Sequence, residues 1–77
     1  MKNFNIRSSH QRETYKINAT SLHGAKIKAT KYFIKNTPFS MHVLTPDNIP
    51  LAVKYRSLNG TYLKWQTLNK AYHIIPY

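Results

Sequence analysis

The hydrophobic period of this chain changes twice, and that limits its fold more than any other feature. Asn3–Ser8 alternates, with Phe4 and Ile6 opposed to Asn5 and Arg7. Thr14–Ala19 alternates again, with Tyr15, Ile17 and Ala19 opposed to Lys16 and Asn18. Period two is the mark of a half-buried strand. The spacing then lengthens: Leu22, Ala25, Ala29 and Phe33 stand at i, i+3, i+7 and i+11, a single helical stripe. Ser21 is a suitable N-cap, and Pro38 predicts an end near Asn36. Alternation returns in Ser40–Thr45, where Met41 and Val43 oppose His42 and Leu44. Leu51–Ser57 and Thr61–Leu68 read as further strands, and Ala71–Ile75 as a short edge strand.

The turn between Leu51–Ser57 and Thr61–Leu68 sets a register. A two-residue Asn59-Gly60 loop would mix Val53 and Tyr55 with Lys64 and Gln66. A three-residue loop, Leu58-Asn59-Gly60, pairs Ser57 with Thr61 and gives glycine the left-handed position. It predicts Val53, Tyr55, Leu63 and Trp65 on one face, and Lys54, Arg56, Tyr62, Lys64 and Gln66 on the other. A one-residue slip reverses every side chain, so the sorted pattern is preferred.

The expected architecture is α+β: one basic domain over residues 1–77, a mostly antiparallel five-stranded sheet with one helix on its apolar face, in the order ββαβββ. The predicted core is Phe4, Ile6, Tyr15, Ile17, Leu22, Ala25, Ala29, Phe33, Met41, Val43, Leu51, Val53, Tyr55, Leu63 and Trp65. The predicted open face carries Lys16, Lys54, Arg56, Tyr62 and Lys64. Ile27 and Ile34 share a separate sector of the helix, and Gly24 has no evident structural reason.

Charge narrows the function. Lys and Arg number 12 against 2 acids, a net charge of +10 in 77 residues. Self-repulsion of that size destabilises a small compact body, and solubility alone needs far less. A polyanionic partner is expected: nucleic acid first, then a nucleoprotein, then an anionic membrane surface. No apolar run approaches a membrane span, and the N-terminus lacks the apolar block of a signal peptide. A cytoplasmic protein is expected.

Catalytic and metal motifs are absent. The chain has no cysteine, and its only acids, Glu13 and Asp47, fall in predicted turns. Gly24 and Gly60 cannot make a glycine-rich phosphate loop, and His10, His23, His42 and His73 lack ligand spacing. Ser9-His10 lacks an orienting acid. The expectation is a binding protein with no cofactor and no metal.

Basic residues beside an aromatic are the strongest chemical signal. Lys54, Arg56 and Lys64 suit phosphates, and Tyr62 suits a stacked base. The simpler account is the solvated face of an amphipathic sheet, but such faces ordinarily mix both signs of charge. Lys28, Lys31 and Lys35 form a second stripe on the helix, with no acid at i+4 to pair them. The two patches are expected on opposite layers.

The stretch from Ile17 to Trp65 resembles a family of small phage-encoded anti-CRISPR proteins of the type I-F class. Ile17, Ala19, Ser21, Leu22, Ala25, Lys26, Ala29 and Lys31 carry the first part of the resemblance. Val43, Leu51-Ala52, Lys54 and Lys64-Trp65 carry the second. The resemblance implies a helix on a five-stranded antiparallel sheet. It also implies binding to the backbone subunits of the CRISPR surveillance complex, which grip the guide RNA, so that target DNA cannot hybridise. Lys26, Lys31, Lys54 and Lys64 fall where that family places contact residues. The first strand, Pro38–Ser40, the hairpin tip and the tail from Leu68 depart from the family. The charge is also higher, which strengthens direct DNA binding. The expected function is a phage-type inhibitor that blocks DNA binding by a host complex, acting in the cytoplasm of an infected bacterium. Direct, sequence-nonspecific nucleic-acid binding is the alternative, and a phage structural protein is a third class.

Overall fold

The two N-terminal alternating segments pair with each other. β1 (Lys2–Ser8) and β2 (Tyr15–Ala19) run antiparallel, with Phe4 opposite Ile17 and Ile6 opposite Tyr15. The computed structural model describes residues 1–68, so the strand expected at Ala71–Ile75 lies outside the described residues. Ser21 caps α1 (Leu22–Phe33), its Oγ accepting a hydrogen bond from the Gly24 amide at 3.2 Å. That satisfies one of the donors a helix start leaves orphaned. A short 3-10 turn, Ile34–Asn36, extends the helix, and Thr37 closes it in the left-handed conformation at φ 44°. β3 (Ser40–Leu44), β4 (Pro50–Tyr55) and β5 (Gln66–Thr67) follow. The strands form one antiparallel five-stranded sheet ordered β2-β1-β3-β4-β5. The chain order is ββαβββ, and the α+β expectation holds.

The core lies where the helix crosses β2, β1 and β3. Ala25, Ala29 and Phe33 meet Phe4, Ile6, Met41 and Val43 there, all buried. The two alanines let the helix backbone approach the sheet, and Phe33 fills the far end. Burying a ring of this size is worth roughly 1.5–3 kcal/mol. Ala19 and Ala52 complete the buried cluster, with Tyr15, Ile17, Leu22, Leu51 and Trp65 partly buried against it. Ile27 and Ile34 remain exposed.

The hairpin turn has the expected register and the reversed faces. Ser57 N donates to Thr61 O at 2.8 Å, Leu63 N donates to Tyr55 O at 2.9 Å, and Arg56 pairs with Tyr62 between them. Gly60 sits at φ 90°, a conformation costly for any residue with a Cβ. Yet Lys54 lies opposite Met41, and Ala52 opposite Val43. Cross-strand partners share a face. Lys54, Arg56 and Tyr62 therefore stand on the helix side, not the open side. Val53 and Tyr55, opposite His42 and Ser40, stand on the far side. Leu63, expected in the core, is 50% exposed.

Two features produce the reversal. The helix rests on β2, β1 and β3, so helix-side positions of β4 need not be apolar. The far face, in turn, is not merely solvated, because Leu44 and Val53 are buried there. The ladder also slips between the ends of the hairpin. Ala52 faces Thr67 and Val53 faces Gln66, one residue out of step with the Arg56–Tyr62 pair. Leu63–Trp65, which belongs to no strand, absorbs the extra residue. That bulge returns Trp65 to the helix side beside Lys54.

Candidate functional site

Because the helix stops short of β4, a groove opens along its flank. His23, Lys26, Ile27, Thr30 and Lys31 stand at i, i+3, i+4, i+7 and i+8, which places them along one side of α1. With Lys54 from β4 and Trp65 from the bulge, they line a cavity of about 410 Å³. Trp65 is partly buried there and Ile27 exposed, beside Lys26, Lys31 and Lys54.

The indole is held from below. Trp65 Nε1 donates to Thr30 Oγ1 at 3.1 Å, and that hydroxyl donates to the Lys26 carbonyl at 2.9 Å. Lys26 Nζ donates to Thr67 Oγ1 at 2.8 Å, tying the helix to β5. Lys54 Nζ lies 6.0 Å from the centroid of the Trp65 ring, at the outer limit of a cation–π contact. Lys54 is half-buried and lines the groove, as a long side chain that keeps its charged end near water can.

The structure gathers part of the predicted set and disperses the rest. Lys26, Lys31 and Lys54 share this groove, so the helix and sheet patches are not on opposite layers. Lys64 is exposed and precedes Trp65 in the bulge. Lys28 turns to the other flank of α1 and donates to the Asn18 carbonyl on β2. Arg56 donates to the Thr37 carbonyl at 2.8 Å, and its guanidinium carbon lies 4.5 Å from the Phe39 ring centroid. Tyr62 donates its hydroxyl to the Pro38 carbonyl at 2.7 Å. Burial pushes that phenol's pKa up, and Arg56 only partly opposes the shift. Arg56 and Tyr62 thus pin the 37–39 segment to the hairpin instead of presenting a stacking surface. Lys16 remains on the far face, in a polar concavity of about 390 Å³ with Asn3, Asn5, Asn18 and Pro46.

Sequence reasoning missed His23, Ile27 and Thr30, and counted Trp65 as core. The signal was present in the i, i+3, i+4, i+7, i+8 spacing, a helical stripe that is neither the apolar stripe nor its opposite. Neither of the chain's acids, Glu13 and Asp47, lines the groove. Among the described residues no group of three or more potential ligands could hold a metal ion, and no helix is long and apolar enough to cross a membrane. Comparison with known proteins adds no relative: no family model, curated protein or solved structure matches this chain.

Proposed function

We propose that this protein is a small phage-type inhibitor that docks by the Lys26–Lys31–Lys54 groove onto a nucleic-acid-handling host complex and obstructs its DNA path. The observation that supports this reading is the convergence of three lysines from two separate elements on one groove without an acid. Unpaired like charges repel, so their gathering is costly unless an anionic partner offsets it. By resemblance, the complex is a CRISPR surveillance complex, the contacted parts are its guide-gripping backbone subunits, and the place of action is the cytoplasm of an infected bacterium. The protein acts by occupation and not by catalysis. Lys64, exposed beside Trp65, extends the contact.

The decisive experiment uses a purified type I-F surveillance complex loaded with guide RNA. The wild-type chain prevents target duplex from binding. The Lys31→Glu/Lys54→Glu double variant retains the wild-type circular dichroism spectrum and loses inhibition. A folded double variant that still inhibits refutes the groove as the docking site. Direct nucleic-acid binding is the second reading, favoured by Trp65 in the lining of the groove. It predicts that the free protein binds DNA with a logarithmic salt slope near −0.9 per duplex phosphate contacted. A docked inhibitor instead captures the complex from nuclease-treated lysate.

A further inference from the structure

Trp65 is the only tryptophan of the chain, and it lines the basic groove, partly buried. We infer that this groove receives an unpaired nucleotide of a single-stranded polynucleotide, its base against Trp65 and its flanking phosphates on Lys31 and Lys54. The inference rests on the reading of the groove as the binding surface, and it names the chemical group that enters.

The indole is pre-set for this use. Its N–H is spent on Thr30, whose own proton is spent on the Lys26 carbonyl. The ring's orientation is therefore set by the protein before a ligand arrives, which lowers the entropic cost of stacking. Lys26 is tethered to Thr67. Lys31 is exposed, and Lys54 Nζ lies 6.0 Å from the ring centroid. An aromatic plane flanked by amines matches a polymer in which flat rings alternate with negative charge.

Other polyanions match less of this. A duplex keeps its bases paired and would offer the groove phosphates alone, leaving the indole without a partner. An acidic peptide supplies charge without a regular succession of flat rings. The cavity, about 410 Å³, has the size of a small-molecule site, suited to one base with its sugar and not to the width of a duplex. The lining offers few groups to read a base edge: Thr30 is engaged on both sides, and lysines contact phosphate without specifying sequence. Binding is therefore sequence-tolerant.

Fluorescence of Trp65 reads the site directly. The full chain is titrated at low salt with a short oligothymidylate, a duplex of the same length, inorganic polyphosphate and polyglutamate. Oligothymidylate quenches the emission saturably, with a salt slope of about −0.7 per phosphate contacted. Polyphosphate and polyglutamate bind without comparable quenching, and the duplex quenches less than the single strand. Absence of quenching by oligothymidylate, or equal quenching by polyphosphate, overturns the inference. Tighter binding of polyglutamate than of oligothymidylate also overturns it, and assigns the groove to an acidic protein surface.

Two variants separate stacking from charge, read by anisotropy of labelled oligothymidylate. Trp65→Leu loses the preference for single strand over polyphosphate. Lys31→Glu, at an exposed position, weakens both roughly tenfold and keeps quenching at saturation. Should Trp65→Leu fail to fold, Lys31→Glu together with the polyphosphate arm still decides the matter. Failure here with inhibition of the surveillance complex intact refutes only stacking. Quenching without inhibition refutes only the inhibitor reading.

Discussion

Beneath α1, Phe33 is buried in one apolar cluster with Phe4, Ile6, Met41 and Val43, and the hydrogen bond from Lys28 to the Asn18 carbonyl lies at its exposed edge. Beside α1, β4 and β5 are tied on by polar contacts: Trp65 to Thr30, Lys26 to Thr67, Arg56 to Thr37 and Tyr62 to Pro38. The first region is a dry core of interlocked apolar groups. The second is a flap that gives the core cluster Ala52 as its buried member, with Leu51, Tyr62 and Trp65 only partly buried against it. The difference explains where the groove is. A helix of 12 residues covers about three strands, and the strands left beside it supply a wall without a roof. Charge can gather there because amines at that wall keep their hydration.

The contrast is broken most severely from the core side. Phe33 is 1% exposed, and Phe33→Ala leaves a cavity that the surrounding sheet cannot close. The expected loss is about 3–5 kcal/mol, comparable to the whole stability of a chain this short. Urea denaturation followed by circular dichroism should show a chain that is largely unfolded or melts at the lowest denaturant concentrations. A loss below about 1 kcal/mol would mean that the helix is held by its polar edge and not by its apolar face.

How much of this was legible depended on how many constraints each strand carried. Phe4, Ile6, Tyr15 and Ile17 alternate against polar neighbours, so one parity was available and it proved right. The helix was equally plain, since Leu22, Ala25, Ala29 and Phe33 admit one stripe. In β4 the series Leu51-Ala52-Val53-Lys54-Tyr55 is apolar at both parities, and lysine was used to break the tie. That choice assumed that charge must face away from the helix. Lys54 lies opposite Met41 on the helix side, with its amine 6.0 Å from the Trp65 ring centroid, so the tie breaks the other way. The turn was read correctly because Gly60 answers a purely local demand, a positive φ. The bulge at Leu63–Trp65 carried no such local signal, and it decides which residues share the groove. Lys26, Lys31 and Lys54 line one groove, although the sequence pattern places the helix and sheet lysines on opposite layers. Arg56 and Tyr62, read from the sequence as partner-facing, are engaged within the chain by Thr37, Phe39 and Pro38.

A milder change sharpens the same comparison from the groove side. Thr30→Val keeps the side chain's size and removes the hydroxyl that joins Trp65 to the Lys26 carbonyl. The expected cost is about 1 kcal/mol, because the indole N–H lies near enough to solvent to be rehydrated. Denaturant titration gives the cost, and a red shift of Trp65 emission should accompany it, since the ring loses its anchor. A cost equal to that of Phe33→Ala would erase the distinction between core and flap.

The smallest effect belongs to β3, the strand both regions share, on the face away from the helix. His42 stands opposite Arg7 and Val53, and its Nε2 lies 3.1 Å from Ser40 Oγ. Burial lowers its pKa below the ordinary value of 6.5, and the Arg7 guanidinium lowers it further. The folded state thus prefers the neutral ring, and the unfolded state binds the proton more readily. Stability from this group is present above about pH 6.5 and drains away as the pH falls through 6.5 toward the folded-state value. The ring is only half-buried, so water screens part of the effect. His42→Gln keeps a polar side chain at this position and removes the titration. Urea midpoints measured at intervals from neutral to mildly acidic pH should fall more steeply for the wild-type chain than for this variant. Parallel lines would show that His42 is as well hydrated in the fold as in the unfolded chain. The far face would then bury Leu44 and Val53 while leaving the His42 ring to water.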